Sequence, residues 1–209
     1  IFFPQVEKEG AALRLRVSDG GGRVEELTHP IIPLVPHLLR ALTRVYKPEQ
    51  ISDSQLQTVL AAGWASPVGH GAYDELYISV VQNPKILENF AEYCGQAFGN
   101  PKYNPFYGAP TLIVISAKPK DDGQMVYIAD VGCILENMQL AATDIGLGSV
   151  YLWALLNRIP QSPQFVASLE LPEGFKPVSA LALGYPAKPL EKRSFADIKP
   201  ERIATKIIK

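Results

Sequence analysis

The chain has 209 residues, of which 47% are hydrophobic and 20% are charged, and its formal net charge at pH 7 is -1. This length and apolar content predict one folded domain, or two at most, and exclude an intrinsically disordered chain. Twenty Lys and Arg residues are balanced by twenty-one Asp and Glu residues, so we expect no nucleic-acid partner. No apolar run reaches the roughly 20 residues that a membrane-spanning helix needs, so we expect no membrane partner either.

The cysteines and histidines show no pattern of a metal site. Cys94 and Cys133 lie far apart, and His29, His37 and His70 lack metal-ligand spacing. We predict that both cysteines are small buried hydrophobic residues, and a disulfide between them would require the fold to bring them together. Because free cysteine persists in reducing compartments, this composition favours a cytoplasmic location.

The N-terminal region alternates apolar and polar residues over 11–28, around the glycines of 20–22. This pattern is typical of a β-hairpin. Three prolines within 30–36 then interrupt the chain. We therefore predict an N-terminal extension with a β-hairpin, residues 1–36, and a main domain with a C-terminal extension, residues 37–209.

Apolar periodicity from residue 52 onward predicts interspersed helices and strands, which is the mixed α and β class. Ser52 and Gln55 form a capping-box pattern, so a helix is expected to begin after Ser52. The apolar, β-branched run 111–115 predicts a strand that is buried on both faces. The other predicted elements are strands at 76–81, after Gly148 and at 178–183, and helices from Pro84 and near 163–169.

The longest predicted helix covers residues 125–145 and has apolar residues on more than one face. Such a helix lies in the centre of a core or at an interface. It leads into Gly146-Leu147-Gly148, which lacks the third glycine of a G-x-G-x-x-G motif. The sequence also contains no G-x-S-x-G elbow and no P-loop motif, so hydrolase and P-loop functions lose their best support.

Several short segments of the main domain together resemble the nitroreductase family of flavin-dependent reductases. They are Arg44-Val45-Tyr46-Lys47-Pro48-Glu49, Trp64-Ala65-Ser66-Pro67, Gly108-Ala109-Pro110, the helix from Asp130 through Gly148, and Leu171-Pro172-Glu173-Gly174-Phe175 leading to Ala182-Leu183-Gly184-Tyr185-Pro186. They follow the family order from about Arg40 to Arg193 and leave the N-terminal region uncovered. The chain is thus identified as a divergent member of this family.

The resemblance implies an α+β sandwich in which helices flank a central mixed or antiparallel sheet. It also implies a homodimer that holds two FMN molecules at the subunit interface. The long helix would lie at that interface, where its surplus apolar surface would find a partner. A core helix in a monomer would show the same apolar pattern.

The family holds the FMN phosphate with an R-R-S-x-R element and with a basic pair near the C-terminus. Here the first element is Arg40-Ala41-Leu42-Thr43-Arg44, with arginines at the outer positions only. A guanidinium group matches a phosphate bidentately. Lys192 and Arg193 would form the second pair, in the segment 188–209 that carries seven Lys and Arg against three Asp and Glu. A solvated surface pair would look the same.

The family contacts the flavin ring and ribityl chain with an N-x-Q-P-W stretch, which is replaced here. Pro67, Val68 and Gly69 lead into His70-Gly71-Ala72-Tyr73-Asp74. By the resemblance, His70 takes the place of the Asn and still offers a ring N–H, whereas Ala72 lacks the amide of the Gln. A loop histidine without a role is the alternative.

A third stretch, Val150-Tyr151-Leu152-Trp153-Ala154, would lie along the flavin, where backbone groups poise the N5 atom. Trp153 would narrow the pocket, unless it belongs to the core. The loop 103–107 is rich in aromatic residues, Asn and Pro, and we expect it to contribute to substrate selection.

These features predict an FMN-dependent oxidoreductase that passes hydride from NAD(P)H through flavin N5 to a small oxidised acceptor, such as a nitroaromatic compound or a quinone. Because the cofactor performs the chemistry, we assign no catalytic side chain and no metal ligand. Two alternatives stay open. One is a flavin-binding or cofactor-free dimer without general reductase turnover, and the other is a specialised branch that reduces, dehalogenates or fragments one substrate.

Overall fold

The computed structural model describes residues 5–9, 12–18, 24–30, 42–120, 125–153, 159–191, 203–204 and 206–208. The contacts between residues divide the chain into two compact units, Ile1–Val35 and Pro36–Lys209. That residues 1–36 and 37–209 are an extension and a functional domain stays a prediction.

The first unit contains three strands, which pair antiparallel in the order β1-β2-β3. The strands are β1 (Gln5–Glu9), β2 (Ala12–Ser18) and β3 (Val24–Pro30). The predicted hairpin corresponds to β2 and β3. The strand β1 was not predicted, because Val6 is its only apolar residue and gives no alternation.

The second unit is built on a four-stranded antiparallel sheet with the order β4-β5-β7-β6. Its strands are β4 (Leu76–Val81), β5 (Thr111–Ala117), β6 (Gly148–Tyr151) and β7 (Lys176–Gly184). Its helices are α1 (Asp53–Trp64), α2 (Pro84–Ala97), α3 (Val126–Asp144) and α4 (Pro163–Ser168). These elements lie where the sequence predicts them, and the α+β class is confirmed.

Helices cover both faces of this sheet, as the strand β5 shows. All seven residues of β5 are buried, as predicted. Leu112 and Val114 pack in a hydrophobic cluster with residues of α2 and α4, whereas Ile113 and Ile115 pack in a second cluster with residues of α1 and α3. The sheet is therefore the middle layer between two helical layers.

The first two helices of this unit begin at side-chain caps. The Ser52 hydroxyl accepts a hydrogen bond from the Gln55 backbone N–H at 3.3 Å, and Gln55 Oε1 accepts one from the Ser52 backbone N–H at 3.0 Å. This is the predicted capping box. The Asn83 side-chain oxygen caps α2 by accepting hydrogen bonds from the backbone N–H groups of Lys85 and Ile86, with Pro84 in the first turn.

The helix α3 leaves one face uncovered. The prediction that both cysteines are buried is wrong for Cys133, which is exposed on α3, whereas Cys94 is buried in α2. Ala129, one turn earlier, is also exposed, and a Cβ atom added at Gly132 would meet nothing within 4 Å. Small residues thus form the outer face of α3, because positions four apart share one side of a helix.

None of the helices in the described part of the chain is long and apolar enough to cross a membrane. A cytoplasmic location stays a prediction.

Candidate functional site

The loop that follows α1 contains the predicted ring-contacting residues Pro67, Val68, Gly69, His70 and Gly71. Its central turn has positive φ angles at two successive residues, 56° at His70 and 67° at Gly71. Non-glycine residues rarely adopt such angles, but Asn and His do so more often than most. Replacement of the family Asn by His70 is therefore compatible with this backbone conformation, and the His70 side chain is exposed.

This loop rests on the first turns of α3. The Gly69 backbone N–H donates a hydrogen bond to Asp130 Oδ1 at 2.8 Å. Beside the contact lies a cavity of about 100 Å³, whose lining includes His70, Lys118 and Tyr127.

The predicted phosphate-binding residues Leu42 and Arg44 lie beside β6. Leu42 forms a parallel bridge with Ser149, and the Thr43 backbone N–H donates to the Ser149 carbonyl oxygen at 3.0 Å. The following residues run along the chain that leaves β7, where the Ala187 backbone N–H donates to the carbonyl oxygen of Val45 at 3.0 Å. The structure thereby brings the N-terminal arginine element next to the segment that leads to Lys192 and Arg193.

Arg44 and Lys188 line one cavity of about 220 Å³ at this place. Both side chains belong to exposed residues, and Glu191 lines the same cavity, so two positive charges and one negative charge surround it. Arg40, Ala41, Lys192 and Arg193 lie outside the described residues.

The ring of Tyr107 lies close to the side chain of Arg44. The guanidinium carbon of Arg44 lies 5.9 Å from the centre of the Tyr107 ring, within the range of a cation–π contact. Tyr107 itself has a positive φ of 59°. The nearby Tyr46 is different, because burial raises the pKa of its phenol far above the usual range, and Tyr107 adds to this whereas Arg44 opposes it.

The loop 103–107, which we expect to contribute to substrate selection, has only part of its aromatic side chains exposed. Phe106 is 2% exposed, and its ring stacks on that of Phe90 at a centroid distance of 6.4 Å. Phe106 therefore belongs to the core, where its aromatic surface is buried against α2, and a role of this loop in substrate selection stays a prediction. Tyr103 and Phe106 line a cavity of about 540 Å³ on the α2 side of the sheet.

The third predicted stretch ends β6 with two aromatic rings. The rings of Tyr151 and Trp153 are nearly parallel, with an interplanar angle of 14° and a centroid distance of 6.3 Å. Trp153 is 49% exposed, so it is not a core residue. Leu152 is buried, and its backbone N–H donates to Ala180 in β7 at 2.9 Å. This N–H is therefore already paired within the sheet, and Ala154 lies outside the described residues.

The two groups of predicted site residues lie at opposite corners of the unit. The loop around His70 precedes β4 and contacts the start of α3, whereas Leu42 and Arg44 lie next to β6, which follows the end of α3. The strands β4 and β6 are the two edges of the sheet. A helix of 19 residues is about 28 Å long. The structure thus brings Leu42, Arg44, Tyr151, Leu152 and Trp153 to one edge, but not Pro67–Gly71.

The donors along the β6 edge fit FMN, the group that the resemblance implies. Its phosphate needs positive charges, which Arg44 and Lys188 supply, and its flat ring system suits the half-buried ring of Tyr151 and the exposed ring of Trp153. The backbone is also packed closely here, since a Cβ atom on Gly148 would lie 2.5 Å from Thr43 Oγ1.

Comparisons with known proteins agree with this fold. A sequence profile described as the Nitroreductase family matches residues 40–185. The chain belongs to the nitroreductase family, as predicted. A relative from Archaeoglobus fulgidus, named for an NADH dehydrogenase or NAD(P)H nitroreductase, is 31% identical over 152 residues, which is 70% of this chain and 81% of that protein.

Two further matches have informative names. An NADPH-dependent oxidoreductase from Staphylococcus haemolyticus is 29% identical over 157 residues, and the match covers 69% of this chain but only 61% of that longer protein. The crystal structure of a nitroreductase with bound FMN from Bacteroides fragilis superposes with a TM-score of 0.71 at 29% identity, covering 83% of this chain and 97% of that chain.

Proposed function

We propose that this protein is an FMN-dependent oxidoreductase that transfers hydride from NAD(P)H to a small oxidised acceptor, such as a nitroaromatic compound or a quinone. When bound, FMN accepts and releases the hydride at N5 of its ring. The proposal is supported by the family membership and by the similarity to a nitroreductase with bound FMN. The observation that carries it is the cavity that Arg44 and Lys188 share, at the place where Leu42 bridges Ser149 of β6.

In this proposal the residues of the β6 edge bind and orient the cofactor. Arg44 binds the phosphate, and Lys188 adds positive charge from the same cavity. Arg40 and the basic pair Lys192 and Arg193, which continue these two segments in the sequence, complete the charge balance. Trp153 covers the ring system and excludes water from it.

The proposed active form is a homodimer. The loop around His70 and the residues Leu42 and Arg44 lie at opposite ends of α3. If the α3 helices of two copies pack antiparallel, the His70 loop of one copy meets the β6 edge of the other. The exposed small residues Ala129 and Cys133 would allow this close approach. Each FMN would then be contacted by both subunits.

FMN binding and reduction test the proposal directly. The purified protein is expected to bind FMN, and NADH or NADPH is expected to bleach the flavin absorbance near neutral pH, with reoxidation by a quinone. Loss of a charge-assisted hydrogen bond costs roughly 1.5–3 kcal/mol, so Arg44→Ala should weaken FMN binding about ten- to a hundredfold in a fluorescence titration. Lys85→Ala, which removes an exposed charge from the start of α2, is the matched control.

Each contrary result has a distinct meaning. A protein that binds no added FMN would refute the proposal. A protein that binds FMN but is not reduced by NADH or NADPH would be the flavin-binding dimer without turnover. Equal affinities for wild-type protein and Arg44→Ala would remove Arg44 from the phosphate site.

A further inference from the structure

The turn around His70 is an unusual element because its own residues are not buried. None of the residues of its turn, Gly69–Gly71, is buried, and no side chain caps this turn. His70 and Gly71 nevertheless keep two successive positive φ angles. A positive φ costs a glycine nothing, but at His70 it is a strained conformation, which persists only where the surrounding structure imposes it. The source of that constraint is therefore informative.

One constraint is a carboxylate on α3. Asp130 Oδ1 accepts a hydrogen bond from the Gly69 backbone N–H at 2.8 Å. Only glycine permits this approach, since a Cβ atom at residue 69 would lie 2.5 Å from Val126 Cγ1 and 3.4 Å from Asp130 Oδ1. The backbone that enters the strained turn is therefore pressed directly against the first turns of α3.

A second constraint comes from the same helix two turns later. Asn137 Nδ2 donates a hydrogen bond to Ser66 Oγ at 2.8 Å, and Ser66 Oγ donates to the carbonyl oxygen of Ala62 at 3.1 Å. Ser66 is fully buried. Positions 130 and 137 share one side of α3, because seven residues are close to two helical turns. Both ends of the segment 66–69 are thus bound to one rigid helix.

We propose that Asp130 is a positioning residue for the cofactor site and that Asn137 is its second anchor. The part of the proposal that concerns FMN rests on the proposed function, in which the His70 loop reaches the flavin of the other subunit. Asp130 acts through its acceptor oxygen: it fixes the Gly69 amide and thereby the direction in which His70 leaves the loop. The negative charge of Asp130 is not required for this role.

Amide hydrogen exchange on flavin-free protein tests the contact itself. In Asp130→Ala the peptides that cover residues 67–72 should exchange at least about tenfold faster, because the Gly69 amide loses its acceptor oxygen. Asp130→Asn keeps one acceptor oxygen and should stay within about threefold of the wild type. Asp144→Ala, an exposed acid at the end of α3, is the matched control and should leave these peptides unchanged.

FMN titration of the same variants tests the role. Asp130→Ala should weaken FMN binding about tenfold, whereas Asp130→Asn should restore it to within about threefold of the wild type. If Asp130→Ala does not fold, Asn137→Ala supplies the second test, with faster exchange at residues 66–68 and a smaller loss of affinity.

Two results would overturn the proposal. One is unchanged exchange and affinity in Asp130→Ala, or in Asn137→Ala if that variant must be used. The other is an equal loss in Asp130→Asn and Asp130→Ala, which would make the charge rather than the acceptor decisive. Wild-type protein that binds no FMN would refute the proposed function instead, while the exchange data would still decide whether Asp130 orders the loop.

Discussion

The side chain of Arg44 contacts a residue that is distant in the sequence. Its guanidinium group is exposed, and the contact that orients it in the described part of the chain is the ring of Tyr107. The resemblance to the family's R-R-S-x-R element predicted Arg44 from the sequence, but no local pattern connects residue 44 with residue 107. Tyr107 was predicted in a substrate loop, whereas the structure places its ring against the proposed phosphate residue.

The ring of Tyr107 should therefore contribute to FMN affinity. An exposed cation–π contact is worth about 0.5–1 kcal/mol, so Tyr107→Ala should weaken FMN binding about two- to fivefold. Tyr107→Phe keeps the ring and should bind FMN as the wild type does. Fluorescence titration at constant ionic strength measures both affinities. If Phe and Ala lowered the affinity equally, the hydroxyl would matter and the ring contact would not.

Among the secondary-structure elements, those with local signals were predictable. The capping box of Ser52 and Gln55, the apolar run of β5 and the proline at the start of α2 each specify an element within a few residues. β1 carries no such signal. The exposure of Cys133 was also missed, because α3 is apolar on several sides and its sequence does not reveal which side the sheet covers.

The contacts that build the site join residues that are far apart in the sequence. Gly69 and Asp130 are 61 residues apart, and Thr43 contacts Gly148 from still further away. None of the residues in these pairs is marked by a pattern in its own segment of the sequence. Only the layered fold brings the pairs together, so the sequence predicts the site residues through their resemblance to a family and not through their spacing.

The contact of Thr43 with Gly148 attaches the arginine element to the sheet. A Cβ atom at residue 148 would lie 2.5–2.9 Å from three atoms of the Thr43 side chain. Gly148 does not adopt a positive φ, so the obstacle to another residue is this neighbour. Gly148→Ala should lower the free energy of unfolding by about 1–3 kcal/mol and weaken FMN binding by displacing Leu42 and Arg44.

A double-mutant cycle isolates that contact. In a Thr43→Gly background the clash is gone, so Gly148→Ala should cost much less there than in the wild type. Urea denaturation measures the four stabilities. An equal cost of Gly148→Ala in both backgrounds would show that Thr43 is not the obstacle.

At the scale of the whole molecule, the structure shows where the apolar residues and some of the basic residues counted in the sequence lie. The buried apolar residues of the described part form two clusters, one on each face of the sheet, between the strands and a helical layer. The basic residues that face the proposed cofactor are Arg44 and Lys188. Among the exposed residues of α3 are the small residues Ala129 and Cys133, to which a single copy gives no partner.

The proposed dimer makes this outer face of α3 essential for cofactor binding. Ala129→Arg would place a long charged side chain between two packed helices, so it should convert the protein to monomers and weaken FMN binding at least tenfold, because each site loses the His70 loop of its partner. Ala97→Arg, at an exposed position of α2 in the opposite helical layer, should change neither property. Sedimentation velocity and FMN titration at the same protein concentrations measure both effects. A dimeric Ala129→Arg variant with wild-type affinity would place the interface elsewhere, and a monomeric wild-type protein that binds FMN tightly would show that one chain alone completes the site.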